Sequence, residues 1–328
     1  MLSPAVGLKT HIWNNNAYSI ALMCMFPVLL LLLAFACFLI LGSVSSEPTP
    51  VVDGVSWTLY PIEASWFSAP IYDALMRTYL NIPWILIAAG FWFLAAYHYH
   101  ERIISSVMNA RYVERRDEPL LYDTLENLCI SRGLYRPKLA IIESPALNAF
   151  ASGLEEKSYT ITVTRGLLEA LSPDELEAVL AHELTHIRNE DVRLLVISII
   201  FVGIFSFVAE LAYRGFLQKS RSSGRSDGRL KILGFILIGV GYLLSILVRF
   251  CLSRRREYLA DAGAVELTKN SDALVRALEK ISGKAKIPNM PDSLAEMCIE
   301  NTSTGLFSMF STHPPIKKRI ETLRTFAG

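Results

Sequence analysis

Apolar runs at 17–41, 80–99, 194–209 and 232–248 alternate with segments in which hydrophobic and polar residues are interleaved. The first run, Ala17 to Leu41, is Leu-rich, carries no charge and is long enough to span a bilayer; Pro27 is tolerated inside such a helix. It is too long for a secretory signal, and only Lys9 precedes it as a basic flank, so it reads as an uncleaved anchor. The second run, Leu80 to Tyr99, offers Trp84, Trp92 and Tyr97 as interfacial anchors, with His98 and His100 at its polar end. Runs three and four lie at the lower length limit for a span and read equally as a membrane hairpin or as buried core helices.

The interleaved segments carry shorter periods. Asp117 to Arg132 has apolar residues at helical spacing and stops at Gly133. Lys138–Glu143 reads as a strand, and Asn148–Ser152 and Tyr159–Thr164 read as two strands joined by a turn at Gly153–Lys157. In the last of these Tyr159, Ile161 and Val163 alternate with threonines, which predicts a sheet of about three strands with one face buried. Ser172-Pro173-Asp174-Glu175 is a helix start: a serine cap, a proline in the first turn and a glutamate that completes a capping box. The helix continues through Leu176, Val179, Leu180, Leu184 and Ile187, so its apolar stripe is occupied and the neighbouring positions are free for chemistry. The expected fold is therefore mainly α with a small β-sheet, an α+β domain joined to membrane helices. Its parts are a membrane region at 1–99, two halves of a polar domain at 100–193 and 251–328, and the apolar helices of 194–250 between them.

Composition narrows the class. Hydrophobic residues make up 52% of the 328 and charged ones 19%, which excludes a disordered chain. A net charge of +1 leaves no basic field for nucleic acid. The five cysteines, Cys24, Cys37, Cys129, Cys251 and Cys298, form no CxxC pair, so neither a disulfide framework nor a cysteine zinc site is expected. No phosphate-binding G-x-x-x-x-G-K-[ST] occurs, and nucleotide is not expected. Gly224-Arg225-Ser226-Asp227-Gly228 matches a serine-hydrolase elbow but lies in a Ser/Gly/Arg loop without strand or helix context. Segments 99–193 and 251–328 are rich in Lys and Arg, while 43–81 has Arg77 alone against Glu47, Asp53, Glu63 and Asp73. The positive-inside rule then puts both polar segments and both termini in the cytoplasm, with the five basic residues of loop 218–231 opposing that arrangement.

The chemistry sits on the capped helix as His182-Glu183-Leu184-Thr185-His186. Histidines four apart share a helix face and can reach one cation. Glu183 is offset beside them, suited to take a proton from an activated water. With six histidines in the chain, random placement gives roughly 0.007 occurrences of H-E-x-x-H, so the spacing is specific. A catalytic zinc needs a third protein ligand. Glu190 and Asp191 follow closely but require a chain reversal; Glu257, with Asp261 one turn later on the same face, is the better placed candidate. Asp261 suits the acceptor for a ligand imidazole N–H. Spacing alone also allows Glu257 and Asp261 simply to pair with Arg254, Arg255 and Arg256.

HELTH followed by Ser253-Arg254-Arg255-Arg256-Glu257-Tyr258-Leu259-Ala260-Asp261 resembles the HtpX family of membrane zinc metallopeptidases, gluzincins related to the type I CAAX prenyl proteases. The likeness covers about 110–328 and includes Asn148-Ala149-Phe150-Ala151, Thr164-Arg165-Gly166-Leu167-Leu168, and Ser311-Thr312-His313-Pro314-Pro315 with Arg319. It implies a zincin-like domain and one zinc ion per chain, held by His182, His186 and Glu257. It further implies Glu183 as base, Asp261 orienting a histidine, and Asn148, Ala149, Phe150 and Ala151 as the edge strand that holds substrate backbone. His313 and Arg319 would approach the scissile carbonyl; on residue type alone His313 is a polar turn residue ahead of two prolines. The implied setting is a multi-pass protein of the bacterial inner membrane that cleaves polypeptides on the cytoplasmic side, damaged membrane proteins among them, in stress-related quality control. A CAAX-type processing protease and a non-catalytic zinc-binding membrane protein are the alternatives; the oligomeric state is open.

Overall fold

The computed structural model describes residues 8–42, 68–200, 255–288 and 314–326, with single positions between them, including 210, 214, 294 and 297–299. His313, the 218–231 loop, most of runs three and four and Cys251 lie outside the described residues. The chain divides into two compact units: one of residues 1–21, 96–199 and 248–328, the other of 22–95 and 200–247.

The second unit is apolar. Helix α1 (Leu8–Gly42) covers the first run, and α2 (Ser68–Val107) covers the second and extends beyond both its ends. Leu39 of α1 and Ala74 of α2 are fully buried, with Phe35, Phe38 and Ile71 packed around them. Several large apolar side chains of α2 face outward: Trp84 is 70% exposed and Phe91 75%. Among the described residues one helix, Ile71–Val107, is long and apolar enough to cross a bilayer, and the apolar stretch Pro27–Ile40 is shorter.

The first unit is mainly helical around a mixed four-stranded sheet. Its strands are β1 (Ala110–Tyr112), β2 (Lys138–Ile142), β3 (Ala149–Ser152) and β4 (Thr160–Thr164), in spatial order β1-β2-β4-β3. β1 runs antiparallel to β2, β2 parallel to β4, and β3 antiparallel to β4 with Phe150 opposite Thr162. Two expectations are corrected here. The sheet has a fourth strand, β1, too short and polar (Ala-Arg-Tyr) to show a period. And β3 and β4 are buried on both faces, not one. The threonines made β4 look half-solvated, yet Thr164 Oγ1 donates to Ala146 C=O (2.6 Å) and accepts from Asn148 N–H (3.0 Å). A hydroxyl satisfied in this way can be buried.

Helix α3 (Pro119–Arg132) ends at Gly133, whose φ of 63° is the left-handed cap that glycine adopts most easily. After α4 (Arg165–Ala170) comes α5 (Pro173–Arg188), opened by the expected capping box of Ser172 and Glu175. Glu175 also receives Lys280 Nζ at 2.6 Å, which ties the start of α5 to another helix. Leu176, Val179, Leu180 and Leu184 are buried, each contributing about 2 kcal/mol of apolar burial.

Helix α5 is central. It packs on α3, β3, β4, α7 (Arg255–Thr268) and α8 (Ser271–Ile281). Helix α6 starts at 191, right after α5, and α9 (Ile316–Phe326) packs on α7 and α8. The α5–α7 crossing is close: a Cβ on Gly263 would overlap the Thr185 side chain. Only glycine permits that approach, which brings the first turns of α7 against the histidine face of α5.

Candidate metal centre

Three side chains from two helices converge. His182 and His186 lie one turn apart on α5, and Glu257 comes from the first turn of α7. The two Nε2 atoms are 3.2 Å apart, and each faces its own oxygen of the Glu257 carboxylate: His182 Nε2 to Oε2 is 3.6 Å and His186 Nε2 to Oε1 is 3.5 Å. All three residues are poorly accessible, His182 and Glu257 being buried.

The far side of each ring explains why the near side is electron-rich. His182 Nδ1 lies 3.0 Å from Asp261 Oδ1, and His186 Nδ1 lies 3.0 Å from Asp191 Oδ2. Carboxylates only accept, so each Nδ1 carries the hydrogen and each Nε2 presents a bare lone pair. With both rings neutral, two lone pairs at 3.2 Å repel and a carboxylate beside them adds negative charge, so the site favours a positive charge between them, a shared proton or a cation. A cation between them resolves the conflict. Tetrahedral bonds of 2.0–2.1 Å would separate ligand atoms by about 3.4 Å, close to these separations. The residues therefore fit a divalent metal, with three protein donors among the described residues.

Protonation preferences agree. Burial and the Arg319 cation both favour neutral His182, but Asp261 and Glu257 outweigh them and lift its imidazole to about 9. The pocket thus prefers positive charge at this point. Burial raises the Glu183 carboxyl above its ordinary range and Glu257 adds to the rise, while the two histidines oppose it. Asp261 stays below its ordinary range because Arg319 and His182 overcome the burial that would raise it.

Glu183 is buried and lines a cavity of about 30 Å³ together with His186, Glu257, Ala151, Arg256 and Met297. That volume accommodates a solvent molecule but not a peptide side chain. A larger groove of about 780 Å³, lined by Tyr112, Tyr122, Arg136 and Lys138 among others, contains none of the metal-facing residues.

β3 flanks the cavity as an edge strand. Thr164 N–H donates to Asn148 C=O (3.0 Å), so by alternation Ala149 and Ala151 turn their backbone groups to the outer edge. There Ile299 N–H donates to Ala149 C=O (3.2 Å), and Asn148 Oδ1 accepts from Ala149 and Ile299 N–H. Asn148 Nδ2 donates to Ala285 C=O, so this side chain is committed to the fold, and Phe150 is buried. Among the described residues, nothing pairs with the outward backbone groups of Ala151.

Arg319 is fully buried beneath the cluster, bonded to Asp261. By sequence, Asp191 is a candidate ligand only if the chain reverses after α5. The reversal occurs, with Glu190 at φ 58°, but it delivers Asp191 to the back of His186 instead of to the metal side. An acid five residues after the second histidine is the signal that marks it.

The sequence pattern of peptidase family M48 matches residues 116–327. A protease HtpX homologue of Bacteroides fragilis (strain YCH46) is 39% identical over 336 residues, covering 98% of this chain and 99% of that relative. Another, from Listeria monocytogenes serotype 4a (strain HCC23), is 36% identical over 275 residues, 78% of this chain and 90% of the relative. Among solved structures, the crystal structure of S. mikatae Ste24p aligns with a TM-score of 0.44 at 21% identity, covering 75% of this chain and 58% of that one.

Proposed function

This chain belongs to peptidase family M48, related closely to the HtpX proteases, and from that premise we propose that it is a membrane-anchored zinc endopeptidase. His182, His186 and Glu257 would hold the ion. Zinc bound there would supply a Lewis acid that polarises a peptide carbonyl and acidifies water. Glu183 takes the proton as water attacks the carbonyl carbon, then delivers it to the amine nitrogen as the C–N bond breaks. Its raised carboxyl pKa suits that return transfer. Asp261 and Asp191 hold the two imidazoles in the tautomer that points Nε2 at the ion. Substrate backbone pairs in extended form with Ala151 at the edge of β3, giving cleavage that depends little on side-chain identity. His313 supplies a hydrogen bond to the developing oxyanion.

The apolar outer surface of α2 supports the membrane assignment, since Trp84, Ile87, Phe91 and Leu94 face outward together. With the excess of Lys and Arg in the polar segments, the active site faces the cytoplasm, and loops of membrane proteins are its substrates.

One observation carries this reading: two Nε2 atoms 3.2 Å apart facing the Glu257 carboxylate, each ring backed at Nδ1 by an aspartate. The test is Glu183→Gln in the full chain. It is expected to retain one zinc per chain and to lose cleavage of an unfolded protein such as casein. Undiminished cleavage would remove Glu183 from the mechanism, and a zinc-replete wild type that cleaves nothing would make the site structural.

A further inference from the structure

Among the described residues, the largest fully buried side chain is a charged one, Arg319 on the first turn of α9. A guanidinium buried to that extent is tolerated only where acceptors surround it. Nε donates to Asp261 Oδ2 (2.9 Å) and Nη2 to Asp261 Oδ1 (2.6 Å), a two-pronged pair that fixes the plane of the carboxylate. Nη1 donates to Ile299 C=O (3.3 Å) and lies 3.3 Å from Glu257 Oε2. Nη2 also lies 3.4 and 3.5 Å from the ring nitrogens of His182. All three nitrogens thus face protein groups, and Arg319 does not line the cavity beside Glu183.

That arrangement conflicts with contact to a scissile carbonyl, the role that family likeness implies for this residue. We propose that Arg319 is a positioning residue: it locks Asp261 so that His182 is held in register, and it steadies Glu257, thereby fixing two of the three metal donors from the C-terminal helix. Behind His186, Arg256 Nη1 lies 3.4 Å from the Asp191 backbone oxygen and 4.0 Å from Oδ1.

The inference rests on the zinc reading above, and its test separates the two. Zinc affinity of the purified full chain is measured by competition with a chromophoric chelator, beside peptidase assays at saturating zinc. Arg319→Lys keeps the charge but cannot make the two-pronged pair. It is expected to weaken zinc binding 10–100-fold, as losses of residues that orient metal ligands do. Asp261→Asn is expected to do the same, and the double variant to fall no further than a few-fold below either single one. Unchanged zinc affinity in Arg319→Lys, with kcat alone reduced, would overturn the proposal in favour of substrate contact. Should Arg319→Lys not fold, Arg319→Met with Asp261→Asn removes both buried charges together, which spares the fold better than removing one. Wild-type zinc affinity in that pair would equally overturn the proposal. A wild-type chain that binds no zinc would refute the metal reading itself.

Discussion

In the unit that houses the metal cluster an arginine is fully buried and large apolar side chains fill the interior; in the other unit Trp84 and Phe91 are 70% and 75% exposed. Several buried charges of the first are answered: Arg319 by Asp261, Asp261 by His182, Glu175 by Lys280 and the N-cap. The apolar side chains of the second, Trp84 and Phe91 among them, instead remain outward-facing. The two units are built against different surroundings, one against water with a polar centre sealed inside it, the other against a medium that dissolves indole and phenyl rings.

That contrast can be broken at several points. The largest effect is expected inside the polar unit. Glu257→Ala removes the proposed third metal donor and takes an acceptor from Arg319; zinc affinity should fall by about 100-fold or more and peptidase activity with it, read by metal analysis and casein cleavage. Glu183→Gln, by contrast, should lower kcat by about 10²–10⁴-fold with zinc retained.

Next comes a matched pair of surface changes. Phe91→Lys on α2 should disfavour membrane integration by about 2.5–3.5 kcal/mol, the usual cost of a lysine at mid-span. Ile130→Lys changes a residue of similar exposure (72%) on α3, where water is the solvent, and should cost under about 0.5 kcal/mol. Carbonate extraction reads the first and thermal unfolding the second. Equal effects would erase the distinction between the units.

Gly263→Ala should destabilise the polar unit by about 1–3 kcal/mol through overlap with Thr185, lowering the thermal midpoint, and Thr185→Ser should recover part of it. A smaller effect than that of Gly263→Ala is expected at the start of α5. Burial alone would raise the Glu175 carboxyl, but Lys280 and the Ser172 groups hold it below its ordinary value. A depressed folded-state pKa stabilises at pH above the unfolded value and loses that contribution as pH falls through the folded one. Glu175→Gln should therefore cost about 1 kcal/mol at neutral pH and flatten the acid limb of the stability profile.

Much of the polar unit is legible in the sequence because its signals are local. The capping box at Ser172, the stop at Gly133 and the β3–β4 hairpin each depend on neighbours within a few residues, and so does the i, i+4 spacing of the histidines. What escapes is set by contacts distant in the chain or by a backbone reversal. β1 is defined by pairing with β2 and has no period of its own. The burial of the β4 threonines depends on acceptors at Ala146 and Ser158. Asp191 reaches His186 through a left-handed residue at Glu190, a position glycine would have advertised. The nearness of Glu257 to α5 depends on Gly263 meeting Thr185, which no spacing rule contains.

The central claim is that two imidazoles and one carboxylate, brought from α5 and α7, bind a single ion with a fourth position open. X-ray absorption spectroscopy on the purified full-length protein tests it most directly. One zinc per chain with two histidine nitrogens, one carboxylate and one further light-atom ligand is the predicted result, reduced to a fraction of the zinc in Glu257→Ala. A spectrum and zinc content identical in the wild type and Glu257→Ala would contradict it.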